Sequence, residues 1–245
     1  MEEKKIGFNT GAGLVPIVPA AILFDLNLGR GDIRPDAAMG YQACVAASTG
    51  AVAVGNVGVG TGASVGKILG PKQAMKCGLG SASIQIGDGV IVGALAAVNA
   101  LGDVVDLKTG EIIAGVRSTK VGLFQIGAPG YFANTLVLMK SFVGRTALSF
   151  ATRANTMLGV VAVNASLTKT EMTKVAQMAQ DGVARAIRPS HTMLDGDAVF
   201  ALATGGKKVD VSTVGAYAAE ALAQAILRAA RMAAPAGGLP GLYQA

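Results

Sequence analysis

A run of small and β-branched apolar residues begins directly after an Asn-Thr dipeptide in the second half of the chain. It occupies residues 157–165 and predicts a buried strand. On its C-terminal side, Thr168 and Glu171 form a capping box that opens a helix. A second strand is expected to enter at 195–202, and a long Ala- and Leu-rich helix to cover about 214–232. This order of elements predicts an α/β (α+β) fold in which helices cover two facing sheets, an αββα sandwich.

The composition limits how such layers can pack. Of the 245 residues, 51% are hydrophobic and 34 are glycine, while only 4% are aromatic and tryptophan is absent. Small side chains favour closely packed layers, and the length suits a single domain, 1–245. The longest apolar runs, at 13–24 and 89–99, are shorter than the ~18–20 residues that cross a bilayer. We therefore predict no membrane span, but buried layers and a homo-oligomer.

Charge, cysteines and the first residues exclude several classes of protein. The 21 Lys and Arg residues are scattered and do not alternate with aromatic residues, so no nucleic-acid partner is expected. Cys44 and Cys77 have neither a disulfide framework nor a metal-ligand spacing, which predicts buried inert thiols, no metal and no cofactor. The opening Met-Glu-Glu-Lys-Lys lacks the apolar stretch of a secretory signal, so a cytoplasmic location is expected.

A glycine-rich loop at 55–67 departs from both nucleotide-binding motifs that it could suggest. Ile68 follows its Gly-Lys pair, where a Walker A loop has Ser or Thr. A dinucleotide fingerprint would need glycine at the position of Val65. Glycines at this density still indicate backbone that approaches another group closely or that adopts positive φ.

The Asn155-Thr156 junction suggests a chain that cuts itself before Thr156. An N-terminal threonine carries its own α-amine beside the hydroxyl, and that amine can act as general base. Its ordinary pKa of about 7.7–8.0 suits proton transfer near neutral pH, so no histidine is required. The alternative is that Asn155-Thr156 is only a turn before a buried strand, as Asn often is.

Three further segments bear on this choice: 15–21 (Val-Pro-Ile-Val-Pro-Ala-Ala), 55–62 (Gly-Asn-Val-Gly-Val-Gly-Thr-Gly) and 189–205, which contains Asp-Gly-Asp. The Asn-Thr junction lies between the second and the third of these segments. The four motifs, in their order along the chain, resemble those of the DmpA-type N-terminal-nucleophile peptidases. That family includes L-aminopeptidase/D-esterases, β-peptidyl aminopeptidases and nylon-oligomer hydrolases. The resemblance extends over essentially the whole chain, although family members carry a longer segment before the first motif. We therefore expect part of the pocket wall to come from sequence outside these residues.

The resemblance implies a fold and a mechanism. The fold is the four-layer αββα sandwich of the DmpA and ornithine acetyltransferase type. The chain would be cleaved into an α chain, 1–155, and a β chain, 156–245, and Thr156 Oγ1 would attack an amide or ester carbonyl to form an acyl-enzyme. Asp195 and Asp197 match the family's Asp-x-Asp, which binds the nucleophile's ammonium and orients its hydroxyl. Outside the family, an Asp-Gly-Asp turn before a strand is the simpler interpretation.

Two more polar residues correspond to groups of the family's site. Asn99 ends a strand, 90–98, that is predicted to pair with 81–86, and it corresponds to an asparagine whose amide N–H contributes to the oxyanion hole. Lys67 corresponds to a lysine near the nucleophile, where a buried ammonium would lower the pKa of a neighbouring amine. Asn99 could otherwise be a turn residue and Lys67 a solvated loop lysine. Lys76 competes with Lys67 for the same role.

Phe24, Gly60 and Gly62 are expected to line the substrate pocket. The two glycines belong to the loop that lines the cleft in the family. Phe24 stands where several relatives carry a tyrosine that helps to hold the substrate carbonyl; a phenyl ring cannot donate that hydrogen bond, and a core Phe is the alternative. The sole histidine, His191, is interpreted as a loop residue bounding the pocket, because no Gly-x-Ser-x-Gly motif presents a serine.

The sequence thus predicts a self-processing hydrolase that forms homo-oligomers of αβ units. Its expected substrates are short peptides, β-amino amides or linear amide oligomers, and threonine rather than serine at Thr156 favours the nylon-oligomer branch. Two alternatives remain open. One is an acyltransferase similar to ornithine acetyltransferase, which passes the acyl group to an amino acid. The other is a truncated, unprocessed relative that assembles without activity.

Overall fold

The computed structural model describes residues 1–121, 123–128, 130–149 and 154–244. Short 3-10 turns lie at Glu2–Lys4, Gly58–Gly60 and Pro71–Gln73. The helices are α1 (Ala37–Val45), α2 (Thr135–Lys140), α3 (Phe142–Ser149), α4 (Lys169–Ala186) and α5 (Val211–Arg231). The strands are β1 (Phe8–Asn9), β2 (Leu14–Val15), β3 (Ser64–Val65), β4 (Met75–Lys76), β5 (Leu79–Gln85), β6 (Ile91–Asn99), β7 (Asp103–Val105), β8 (Ile112–Ala114), β9 (Thr119–Val121), β10 (Phe124–Ile126), β11 (Thr156–Ala165), β12 (Ile187–Arg188) and β13 (Ala198–Lys207).

A four-stranded sheet in the order β13-β11-β6-β5 lies at the centre of the structure. β11 pairs antiparallel with β6 and parallel with β13, while β5 and β6 form the predicted antiparallel hairpin. Along β11 the residues alternate between half-buried and buried, so one face of the sheet is directed into the core. The predicted strand at 157–165 is therefore confirmed, and its first residue is Thr156.

Helices α4 and α5 cover the buried face of this sheet. The predicted capping box is present, because Thr168 Oγ1 accepts from Glu171 N and the Glu171 carboxylate accepts from Thr168 N. Small residues allow close contact: a Cβ at Gly80 of β5 would lie 2.0 Å from the Ala225 carbonyl oxygen of α5. Glycine permits this approach of helix backbone to strand backbone, as its density in the sequence indicated.

The opposite face of the sheet is only half-buried, with Leu158, Val160 and Ala162 directed towards it. A smaller three-stranded sheet, in the order β12-β7-β8, contacts α4 and α5. The part of the chain that the structure describes thus supplies one sheet and one helix layer of the expected four-layer arrangement. No helix among the described residues is long and apolar enough to cross a bilayer.

The N-terminal part differs from the prediction in two respects. The apolar run at 13–24 was expected to be buried, but its side chains are largely exposed, with Ile22 at 87%. Cys44 is also exposed, whereas Cys77 is buried as expected. Apolar pattern alone predicted burial wrongly here, because burial also requires a facing surface, and among the described residues this segment has little.

Candidate active site

The Asn155-Thr156 junction lies beside a cavity of about 380 Å³. The cavity is bounded by the segment around Phe24, the glycine-rich loop and the end of β6. Five of the residues predicted from the sequence line it: Phe24, Gly62, Lys67, Asn99 and Asn155. The structure therefore brings together residues that are far apart in the chain.

Strand pairing fixes the position of the junction. Thr156 is the first residue of β11 and lies opposite Asn99, the last residue of β6. The preceding residue, Asn155, makes an isolated parallel bridge with Asp195. Because the junction is paired on both sides, its peptide group is held between the cavity wall and the Asp-Gly-Asp segment.

The carbonyl oxygen of Asn155 accepts two hydrogen bonds. Thr156 Oγ1 donates to it at 2.6 Å, and the Gly196 backbone N–H donates to it at an N···O distance of 2.8 Å. Asn155 is 7% exposed, so water competes little for this oxygen. The hydroxyl of Thr156 is thus adjacent to the peptide bond that precedes it, and that carbonyl is already polarised.

The two aspartates approach the junction from different sides. Asp195 Oδ1 accepts from Leu101 N at 3.0 Å, and its Oδ2 accepts from Thr192 Oγ1. Asp197 Oδ1 accepts from Met157 N at 2.8 Å, which places this carboxylate one residue from Thr156. Burial raises the pKa of Asp197, and the charge of Asp195 adds to the effect, while the Met157 N–H opposes it. The strand that was expected to enter at 195 begins instead at Ala198.

His191 contacts the second aspartate directly. Its Nδ1 lies 2.8 Å from Asp197 Oδ2, and its backbone N–H donates to the same oxygen at 3.2 Å. The residue has φ of 54°, in the left-handed region where His is one of the more tolerated residues. The sequence interpretation of His191 as a loop residue did not include this contact.

Lys67 links the glycine-rich loop to the end of β6. Its Nζ donates to both the backbone oxygen and the side-chain Oδ1 of Asn99, each at 2.8 Å. Burial lowers the pKa of Lys67 to about 7, although the carboxylates of Asp195 and Asp25 act in the opposite direction. An amine with this pKa can be neutral or charged near neutral pH.

Lys76, the alternative candidate, has a different environment. Its side chain is completely buried, and Nζ donates to the carbonyl oxygens of Thr61 and Ala63 at 2.9 and 2.6 Å. Burial lowers its pKa to about 8. These contacts tie Lys76 to the backbone of the glycine-rich loop rather than to the junction.

Asn99 is 1% exposed, and both ends of its amide are used. Its Oδ1 accepts from Ser64 N and from Lys67 Nζ, and its Nδ2 donates to the Phe24 carbonyl oxygen at 2.8 Å. The amide that was predicted to hold an oxyanion thus binds the backbone of the cavity wall. Phe24 contributes that backbone oxygen, while its ring is 40% exposed.

The two glycines that were assigned to the pocket have different surroundings. Gly62 lines the cavity, and a Cβ there would lie 2.2 Å from Asp25 Oδ2. At Gly60 a Cβ would instead meet the Leu79 nitrogen and the Gly55 carbonyl oxygen, at 2.4 and 2.5 Å. Gly60 therefore permits backbone packing beneath the loop and does not belong to the cavity surface.

Sequence reasoning missed two residues at the junction. Gly196 contributes its backbone N–H, a group that the residue type does not reveal. His191 contacts the Asp197 carboxylate, and this contact depends on the turn between 191 and 197. The sequence signal that could have found both is their position, since one lies between the two aspartates and the other precedes them by a few residues.

Comparison with known proteins identifies close relatives over nearly the full length. The model of Peptidase family S58 matches residues 1–242. An uncharacterized aminopeptidase of Mycobacterium tuberculosis is 43% identical over 256 residues, which cover 98% of this chain and 70% of the relative.

Two more distant proteins add a named substrate and a solved structure. A 6-aminohexanoate-oligomer endohydrolase of Kocuria sp. is 26% identical over 242 residues, which cover 93% of this chain and 65% of the relative. The structure of a Burkholderia sp. beta-aminopeptidase superposes with a TM-score of 0.55 at 25% identity. That match covers 85% of this chain and 56% of the other, so the chain spans a little over half of that structure. The likeness confirms the α/β fold class that the sequence predicted.

Proposed function

This chain belongs to peptidase family S58, whose members hydrolyse amide bonds, and from this membership we propose that it is a self-processing hydrolase with Thr156 as its nucleophile. The membership also confirms the resemblance to DmpA-type N-terminal-nucleophile peptidases. In this proposal the bond between Asn155 and Thr156 breaks, giving an α chain of residues 1–155 and a β chain of residues 156–245.

The observation that carries the proposal is the pair of hydrogen bonds on the Asn155 carbonyl. The Thr156 hydroxyl and the Gly196 N–H both contact that oxygen, at 2.6 and 2.8 Å. A turn before a buried strand would need neither a hydroxyl at this point nor two carboxylates beside it. Their combination supports the interpretation of the junction as a cleavage site.

Cleavage would give Thr156 a free α-amine close to the carboxylate of Asp197, which already accepts from the next backbone N–H. Thr156 Oγ1 then attacks the substrate carbonyl carbon, and its proton passes through the α-amine to the leaving amine as the carbon–nitrogen bond breaks. Water hydrolyses the resulting ester and regenerates the hydroxyl.

The neighbouring residues supply orientation and charge. Asp195 and Asp197 hold the α-amine and the hydroxyl of Thr156, and Lys67 offsets their negative charge. With a pKa near 7, Lys67 keeps part of its charge at neutral pH while remaining beside Asn99. Backbone N–H groups and the second N–H of the Asn99 amide, beside the one that binds the Phe24 carbonyl, stabilise the oxyanion of the substrate.

We propose short peptides, β-amino amides and linear amide oligomers as substrates. Relatives named as an aminopeptidase, a 6-aminohexanoate-oligomer endohydrolase and a beta-aminopeptidase support this range. All three names describe molecules with an amide bond near an amine. The cavity of about 380 Å³ is at the lower end of the usual range for small-molecule sites, as a short linear amide requires.

We also propose that the processed units assemble as a homo-oligomer. Large apolar side chains near the N-terminus are exposed, and contiguous exposed apolar surface is typical of an interaction site. The most exposed are Phe8 (66%), Val18 (71%), Ile22 (87%) and Tyr41 (69%).

Intact mass spectrometry tests the proposal. We expect the wild-type chain of 24.4 kDa to yield two fragments, cut between Asn155 and Thr156, whose masses sum to that of the precursor plus one water. Thr156→Ala should remain a single species and should not hydrolyse a 6-aminohexanoate oligomer or an aminoacyl anilide, because it lacks the attacking oxygen.

A matched control is Thr173→Ala, which removes a threonine hydroxyl from an exposed turn of α4. This variant should be processed like the wild type. A wild-type protein that stays intact and inactive would overturn the proposal and would favour an unprocessed assembly protein.

A further inference from the structure

We propose that the backbone N–H of Gly196 stabilises the negative charge that develops on the Asn155 carbonyl oxygen during self-cleavage. The inference rests on the proposed function, since it concerns the same peptide bond. It assigns a specific backbone donor to a step in which the Thr156 hydroxyl, the other donor on this oxygen, becomes the attacking group.

The geometry fits an oxyanion donor. The Gly196 nitrogen lies 2.8 Å from the Asn155 oxygen, within the range of about 2.7–3.1 Å that productive donors show. Residue 155 is held in line with this segment, because Asn155 N and Nδ2 both donate to the Leu194 carbonyl, at 3.4 and 3.2 Å. The carbonyl is thus oriented by three contacts to one short stretch of chain.

The predicted side-chain donor, Asn99, is engaged elsewhere. Its Nδ2 donates to the Phe24 carbonyl, and its Oδ1 accepts from Ser64 and Lys67. The amide is therefore oriented by contacts on both ends. The Gly196 N–H, in contrast, already points at the oxygen on which charge develops.

Glycine at position 196 also leaves room for the nucleophile. A Cβ on Gly196 would lie 3.5 Å from Thr156 Oγ1 and 3.8 Å from the Asn155 oxygen, which is ordinary contact. A methyl group at position 196 would therefore touch the hydroxyl without displacing it.

The step can be written with all atoms accounted for. Thr156 Oγ1 forms a bond to the Asn155 carbonyl carbon while the oxygen takes up negative charge and keeps the Gly196 hydrogen bond. The bond from that carbon to the Thr156 nitrogen then breaks, and the proton of the hydroxyl ends on that nitrogen. Water cleaves the ester, which leaves a carboxylate on Asn155 and the hydroxyl on Thr156.

Replacing the Gly196 amide by an ester tests this role. Glycolic acid in place of Gly196, introduced into the full chain by nonsense suppression in cell-free translation, removes the N–H but adds no side chain. Pulse-labelled chains are then followed on denaturing gels. We expect cleavage to be slower by about 10²–10³-fold, the usual effect of losing one oxyanion donor.

Two control variants show whether a slower cleavage of the Gly196 ester comes from loss of the N–H. The same glycine-to-glycolate change at Gly206, an exposed residue near the end of β13 whose N–H donates to Ser166 Oγ, should leave processing at the wild-type rate. Gly196→Ala retains the N–H and should slow cleavage by less than about tenfold, which also tests whether the segment tolerates change. Thermal unfolding of each protein reports whether it is folded.

The outcomes separate the two proposals. If the Gly196 ester variant is cleaved as fast as the wild type, the proposed role of the N–H is wrong, but the proposal of a threonine nucleophile stands. Wild-type chains that are never cleaved would overturn both. A slow Gly196 ester beside a normal Gly206 ester supports the inference.

Discussion

Lys67, the last residue of the glycine-rich loop, is half-buried, whereas Lys76 of β4 is completely buried, and the surroundings of the two lysines differ. Lys76 is the more buried, yet its ammonium group bonds only the loop's own carbonyls at Thr61 and Ala63. Lys67 lies at the cavity and bonds Asn99, the residue opposite Thr156. In both regions burial lowers the lysine pKa, to about 8 and about 7 respectively.

The comparison shows that burial and a shifted pKa do not by themselves identify a functional lysine. What separates the two is the identity of the hydrogen-bond acceptors. Its hydrogen bonds to loop carbonyls give Lys76 a structural role, whereas its contact with Asn99, the strand partner of the proposed nucleophile, makes Lys67 a candidate for the chemistry. Substitutions at each lysine should therefore affect different measurements.

The largest effect is expected for Lys67→Met, which keeps the length of the side chain and removes its charge. We expect kcat/KM for a 6-aminohexanoate oligomer to fall by about 10²-fold or more, because an electrostatic group beside the oxyanion is lost. The melting temperature should change little, since the side chain borders the cavity.

The matched control for that variant is Lys72→Met, since Lys72 is an exposed lysine of the 3-10 turn at Pro71–Gln73. It should retain wild-type kinetics. If Lys67→Met keeps more than about a third of the wild-type kcat/KM, Lys67 is as structural as Lys76 and the distinction between the two regions fails.

Lys76→Ala should affect stability instead of chemistry. It removes a fully buried stem and takes one donor from each of the Thr61 and Ala63 carbonyls, so we expect a loss of about 2–5 kcal/mol of unfolding free energy. Chemical denaturation measures this loss, and the rate per folded molecule should stay within about threefold of wild type.

The pH dependence of the unfolding free energy gives a second test of Lys76→Ala. Lys76 has a folded pKa of about 8 and an ordinary value of 10.5, so between these pH values the unfolded chain binds more protons and wild-type stability rises with pH. Lys76→Ala lacks this contribution. The gap in unfolding free energy between wild type and variant should therefore be wider at pH 10 than at pH 7.5, and a constant gap would contradict the buried, partly neutral lysine.

Local sequence signals predicted the elements that surround these regions. The Thr168–Glu171 capping box and the β-branched run after Thr156 specify α4 and β11 through contacts within a few residues, and the structure confirms both. Burial of the apolar run at 13–24 was predicted wrongly. An apolar pattern indicates that a segment favours burial, but it does not identify the surface that would cover the segment.

The site was less predictable, for a related reason. The Asn-Thr junction pointed to Thr156, and the family resemblance added Asn99 and Lys67. The structure brings these three residues together across β6 and β11. The sequence could not show which of Lys67 and Lys76 lies at the site. The difference depends on their hydrogen-bond acceptors, which are the Asn99 amide for Lys67 and backbone carbonyls for Lys76, and these come from other parts of the chain. The sequence also could not reveal the Gly196 N–H, because every residue except proline carries that group.

The smallest effect is expected at Gly62, where the two lysine regions meet. Gly62 lies between the two carbonyls that bind Lys76 and also lines the cavity that Lys67 borders. In Gly62→Ala the new Cβ would lie 2.2, 2.5 and 2.7 Å from Oδ2, Cγ and Cβ of Asp25, so this side chain has to shift, and we expect a loss of about 1 kcal/mol of unfolding free energy. A displaced carboxylate at the cavity wall should raise KM by a few-fold and leave kcat unchanged, because no contact of Thr156 is altered.

Gly60→Ala is the contrasting variant, since its Cβ would meet rigid backbone at Gly55 and Leu79 and should destabilise the protein without a selective effect on KM. A large fall in kcat for Gly62→Ala would mean that the loop positions the nucleophile, and the two lysine regions would then have to be treated as one.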